Sequence, residues 1–193
     1  MAAIPAVLKE TSGGIARYEI LDEMFQRREI ECTGEITAEL VNSLILQLRY
    51  LQKEAPEQEI TMYINSPGGE VSSGLALYDV MKAVKCPIRT VCLGTAASMA
   101  ALLFISGNMR DMLCHSRIMI HDPILTHGIE GSALKIADIS RDLMQTREIT
   151  GRIIAEHTGR TLEEVYEKTA KDSFFCAEEA VNFGLADNII YEI

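Results

Sequence analysis

Ser98 lies in Gly94-Thr95-Ala96-Ala97-Ser98-Met99-Ala100, where a strand pattern gives way to a helical one. The small residues before it permit a tight turn that exposes the hydroxyl. At a helix start, free backbone N–H groups and the helix dipole favour negative charge nearby. That setting suits acyl transfer, whose tetrahedral intermediate is an oxyanion. Serine is also a good helix N-cap, which is the competing reading. Gly68-Gly69 follows a strand pattern and lets bare backbone approach a ligand. The Gly69 N–H would then be a second oxyanion donor beside that of Met99. A plain turn competes; a phosphate cradle fits poorly, because no GKS or GKT follows. His121 ends the apolar run Ile118-Met119-Ile120, and Asp172 sits in Lys171-Asp172-Ser173-Phe174, which reads as a loop before the last helix. A histidine becomes a general base only if it reaches a nucleophile and has an orienting acid. Taken singly, His121 also reads as a structural histidine and Asp172 as an ordinary loop acid. Spacing does not bring the three together, because triads are recognised by geometry.

The elements that must position these residues alternate between strands and helices. Residues 29–33 alternate like a short strand and stop at Gly34. Thr37 is an N-cap for a helix over 38–54, whose Leu40, Val41, Leu44, Ile45, Leu48 and Leu51 keep helical spacing. Residues 60–64 read as a buried strand that runs into a turn at Asn65-Ser66-Pro67-Gly68-Gly69. A helix over 72–84, a strand near 88–93 and a buried helix from Met99 to Ile105 follow. Strands near 111–114 and 117–121 come next. Residues 132–157 carry the longest helical pattern, interrupted by Gly151. Thr161 and Glu164 have capping-box spacing, and a short helix near 177–183 ends at Gly184 before a closing strand. This order implies one domain over 1–193, of α/β class with a largely parallel core.

Composition narrows the function further. Of 193 residues, 48% are hydrophobic and 24% charged, as in an ordinary globular domain. The net charge of −10, with no dense basic run, argues against nucleic acid as the main partner. No apolar run reaches the ~18 residues of a membrane span. The start Met1-Ala2-Ala3-Ile4-Pro5 lacks a signal-peptide pattern, so a cytoplasmic protein is expected. The five cysteines are odd in number and show no CxxC pair, which favours buried reduced thiols. His115, His121 and His127 stand six apart, not at metal-ligand spacing, so no metal is expected.

Several runs together resemble the ClpP family over nearly the whole chain. They are Tyr63-Ile64-Asn65-Ser66-Pro67-Gly68-Gly69, Gly94-Thr95-Ala96-Ala97-Ser98-Met99, Ser116-Arg117-Ile118-Met119-Ile120-His121, Ala155-Glu156-His157-Thr158-Gly159, and Ala177-Glu178-Glu179-Ala180 with Phe183-Gly184-Leu185, in the family's order. The resemblance implies a crotonase-like α/β fold with a projecting handle helix, the handle region being 125–157 and the N-terminal axial segment 1–20. It implies Ser98 as nucleophile, His121 as general base, Asp172 as orienting acid, and the N–H groups of Gly69 and Met99 as the oxyanion hole. It further implies hydrolysis of unfolded polypeptides without a cofactor, in stacked seven-membered rings fed by an AAA+ unfoldase.

The chain departs from the family pattern at five places. Asp122 replaces the glutamine usual after the histidine, and such a carboxylate would favour a protonated His121 if close. Ala100 replaces the usual glycine and would tighten the wall near the nucleophile. The Ser-to-His segment is two residues shorter, around Asn108–Met112. Ala170 and Lys171 stand where the family often has an acid–Arg pair. Thr61 and Ala83 stand where its unfoldase-docking pocket often has aromatics, whereas Tyr63 is kept. The segment Leu125–Gly131 is expected to be a substrate-side strand that binds peptide by main-chain pairing. These departures keep a second reading open, a structural or regulatory subunit in mixed rings with a paralogue. A third is a crotonase-type enzyme that holds a thioester enolate with the Gly69 and Met99 N–H groups.

Overall fold

A computed structural model describes residues 5–193 apart from Thr126, His127 and Ile129. A hairpin of β1 (Ala6–Thr11) and β2 (Gly14–Glu19) precedes α1 (Ile20–Gln26). The main body follows as β3 (Glu29–Ile36), α2 (Ala38–Glu54), β4 (Ile60–Gly69), α3 (Val71–Ala83), β5 (Ile88–Ala97) and α4 (Met99–Ile105). It continues through β6 (Met109–Leu113), β7 (Arg117–Ile120), α5 (Ala133–Thr158), α6 (Leu162–Thr169), β8 (Ser173–Cys176), α7 (Ala177–Phe183) and β9 (Asn188–Ile190). The main sheet has the order β3-β4-β5-β6-β9, all parallel, and β7 branches from the far end of β5 to pair antiparallel with β8.

Local chemistry accounts for the helices. In α2 the Thr37 hydroxyl accepts from the Leu40 N–H at 3.3 Å, and Val41, Leu44, Leu48 and Leu51 form the buried stripe. Burying each large side chain of this kind contributes about 1.5–3 kcal/mol. The Arg28 guanidinium closes the other end by donating to the carbonyls of Leu51 and Ala55. Gly151 does not interrupt α5. A Cβ there would lie 2.7 Å from the Tyr166 ring, so its bareness instead lets α6 pack on α5. The capping box of Thr161 and Glu164 forms as expected. Beyond these contacts α5 is little covered: Gly151, Ile153 and Ile154 are its buried residues, and Leu134, Ile136, Met144 and Ile149 are exposed.

Three expectations need correction. The Asn65–Gly69 segment is not a turn, because β4 continues through a bulge and pairs Gly68 and Gly69 with Glu35 and Ile36 of β3. Residues 173–176 form β8, not a loop: Ile118, Met119 and Ile120 of β7 offer a ladder to Phe175, Phe174 and Ser173. Cys32, Cys86 and Cys92 are buried as expected, but Cys114 lies in an exposed turn and Cys176 at the exposed start of α7. Burial pushes the Cys32 thiol up to about 12 and that of Cys92 to about 11, so both are inert packing groups. The expected strand over Leu125–Gly131 falls partly on Thr126, His127 and Ile129, outside the described residues. No described helix is long and apolar enough to cross a membrane.

One partly buried contact makes stability depend on pH. The His157 ring meets the Tyr78 hydroxyl at 3.1 Å, where α5 crosses α3. Burial first, then the Lys82 and Arg110 cations, hold the imidazole below its usual value, against an opposing pull from Glu156. A depressed folded value means that the native state favours neutral His157. Its contribution is complete above the unfolded value of about 6.5 and is lost as pH falls through the lower folded value. Between about pH 7.5 and about pH 5 the wild type is therefore expected to lose more melting temperature than His157→Gln. Equal losses in a thermal melt series would refute this.

Candidate active site

Ser98 stands where β5 ends and α4 begins, with φ 54° and ψ −123°. A positive φ is unusual for a residue with a side chain and marks stored strain. The competing N-cap role is not what holds this residue, since the Ser98 side chain makes no cap hydrogen bond. The strained turn is held from several sides. The Ser98 N–H donates to the Met119 carbonyl at 2.8 Å, which continues the β5–β7 ladder past its last pair, Ala97–Met119. The Thr95 N–H donates to the Asn65 side chain at 3.2 Å, bracing β5 against the bulge in β4. Met99 is buried against Gly74 of α3, where any Cβ would collide with it.

The sheet also delivers the histidine. His121 follows β7 by one residue, and its Nε2 lies 2.8 Å from Ser98 Oγ. Pairing of Ile120 with Ser173 sets the preceding residue, Asp172, beside His121. Asp172 Oδ1 then lies 3.8 Å from His121 Nδ1, with the carboxylate largely exposed and the imidazole largely covered. The three sequence candidates therefore share one site, with a tight serine–histidine contact and a looser histidine–aspartate one.

The glycines form the opposite wall. The Gly68 N–H is occupied by the Ser66 hydroxyl at 3.1 Å. Gly69 pairs with Ile36 of β3, and the Ile36 carbonyl accepts from the Glu70 N–H at 2.8 Å, so that carbonyl is not taken by the Gly69 N–H. A Cβ on Gly68 would lie 2.7 Å from Ser98 Cβ and 3.1 Å from the Met99 nitrogen. Met99 opens α4, so its N–H has no partner within the helix. A groove of about 460 Å³ runs between these walls and includes Gly68, Gly69, Ser98, His121, Ile124 and Asp172 in its lining. A larger concavity of about 670 Å³ flanks Asp172 between α6 and α7 but does not reach Ser98 or His121.

The departures near the site acquire definite places. Ala100 is fully buried within α4 and takes no part in the groove lining. The Asp122 carboxylate is taken up by Arg147 of α5, whose Nε donates to it at 2.6 Å. The shortened segment makes a close link: the Asn108 N–H and side chain bond to the Ile88 carbonyl and N–H at 2.7 and 2.8 Å. Arg147 is a residue near the site that sequence reasoning missed. Its signal was the acid at 122, which needed a cation from another element.

A mostly parallel α/β sheet with its strained serine at a strand–helix junction places the molecule in the ClpP/crotonase-like fold class. The chain matches the Clp protease family model over residues 12–192 and belongs to that family of serine peptidases.

Proposed function

We propose that this chain is an active serine endopeptidase that cleaves unfolded polypeptides through an acyl-enzyme. The observation that carries this reading is the 2.8 Å contact between His121 Nε2 and Ser98 Oγ. His121 takes the hydroxyl proton as Ser98 attacks a peptide carbonyl, then gives it to the leaving amine. Water repeats the cycle on the ester, with His121 again as base. Asp172 stays ionised and holds the imidazole tautomer, and the Gly69 and Met99 N–H groups receive the oxyanion. Main-chain recognition in the open groove gives low sequence specificity.

In this reading residues 1–193 form a single peptidase domain, with 1–20 as the axial segment and 125–157 as the handle region. Stacked rings are supported by the apolar residues that α5 leaves exposed, Leu134, Ile136 and Met144 among them. An AAA+ unfoldase supplies the substrate, with docking altered by Thr61 and Ala83. A fluorophosphonate probe tests the catalytic claim on assembled protein. Wild type is expected to take the label and Ser98→Ala to take none. Absence of Ser98-dependent labelling in homogeneous rings, with labelling of an added paralogue only, would favour a structural subunit in mixed rings.

A further inference from the structure

Arg147 lies on α5, yet its guanidinium bears on the two segments that carry the base and its acid. Its Nε donates to the Asp122 carboxylate at 2.6 Å, and Asp122 directly follows His121. Its guanidinium carbon lies 3.7 Å over the Tyr166 ring of α6, in cation–π range. Gly151, one turn further along α5, gives that ring its room. The Asp122 N–H donates to the Thr169 carbonyl at 2.7 Å, at the end of α6. Three residues on comes Asp172, after which the Ser173 hydroxyl donates to the Lys168 carbonyl at 2.7 Å. A single cation therefore ties the segment after His121 to the helix that delivers Asp172. Arg147 and Asp122 are both partly covered, which limits screening of the pair.

We propose that Arg147 is a positioning residue, which holds His121 and Asp172 in register through Asp122 and Tyr166. This rests on the peptidase reading above. The histidine–aspartate contact, at 3.8 Å, has no slack to lose. The carboxylate at 122 also needs a partner for an electrostatic reason. Left unpaired beside His121, it would favour the imidazolium, which cannot act as a base. Among the described residues, the charged groups near this part of the chain include Asp172 from the α6–β8 connection, 3.8 Å from His121 Nδ1, and Glu35 of β3, which lines the same groove. They also include Asp122, the residue after His121, with its partner Arg147 of α5.

The test is Arg147→Met, which keeps the aliphatic stem and removes the cation. Turnover is measured per Ser98 titrated by fluorophosphonate, so that loss of folded or assembled protein does not count. The variant is expected to lose about 10- to 100-fold in kcat, with KM within about twofold, because a small misplacement of catalytic groups costs this much. The acid limb of its kcat/KM profile is expected to move to higher pH. Arg147→Lys restores most of the activity. The double variant Asp122→Asn/Arg147→Met returns the acid limb to its wild-type position but not kcat. Wild-type turnover per titrated site and an unmoved pH profile in Arg147→Met would overturn the proposal and leave the peptidase reading standing. If the wild type takes no label, the peptidase reading falls instead. The clamp is then judged by crystal structures of wild type and Arg147→Met, where an unchanged His121–Asp172 separation overturns it.

Discussion

Replacing His121 with alanine is expected to lower kcat for peptide hydrolysis by roughly 10⁶-fold, as much as Ser98→Ala and no less than both changes together. The serine hydroxyl is a weak nucleophile until a base takes its proton, so neither residue contributes without the other. Their 2.8 Å contact is the geometry that this coupling requires. Asp172→Asn is expected to cost less, at most about 10⁴-fold, because the acid orients the imidazole and does not itself exchange the proton. Its 3.8 Å separation and exposure point to the same order of effects. Steady-state kinetics on a fluorogenic peptide, normalised to assembled protein, measures all four variants. A His121→Ala protein within about 100-fold of wild type would rule out the general-base role. An Asp172→Asn loss equal to that of Ser98→Ala would mean that the working state closes the histidine–aspartate gap.

Much of the framework was legible because its signals are local. The spacing from Val41 to Leu51 and the N-cap Thr37 define α2 within one stretch of chain, and the structure keeps both. The pattern over 132–157 likewise becomes α5, Ala133–Thr158. What could not be read depends on partners distant in sequence. Residues 65–69 carry turn chemistry, yet pairing with β3 holds Gly68 and Gly69 in a strand. Residues 173–176 carry only a short apolar pattern, and β7 supplies their ladder. The candidate site follows the same division. Ser98, His121 and Asp172 stood out by residue type and by family resemblance, but their approach depends on β5–β7 and β7–β8 pairing. Arg147 carried no signal of its own, since an arginine on a helix is ordinary until its partner, here the acid at 122, is known.

Gly68→Ala is expected to lower kcat by about 10²- to 10⁴-fold while the chain still folds. Gly68 has φ +96°, where a side chain costs about 1–2 kcal/mol. Strain alone would affect stability and not chemistry. The added Cβ, however, would lie 2.6 Å from the Ala97 carbonyl oxygen, 2.7 Å from Ser98 Cβ and 3.1 Å from the Met99 nitrogen. Contacts that short must relax, and the atoms that move are those of the nucleophile turn and its oxyanion donor. Loss of one such donor costs about 10²–10³-fold, and misplacement of the nucleophile adds to it. Gly159→Ala separates the two effects. Gly159 ends α5 with φ +69°, and a methyl group added there would meet nothing within 4 Å, so the substitution brings strain without collision. That variant is expected to lose about 1–2 kcal/mol of stability and to keep its activity per titrated Ser98. Comparable activity losses in both variants would assign the Gly68 effect to general destabilisation. A loss of activity confined to Gly68→Ala, with both variants losing melting temperature, would place the steric demand at the Ser98 turn.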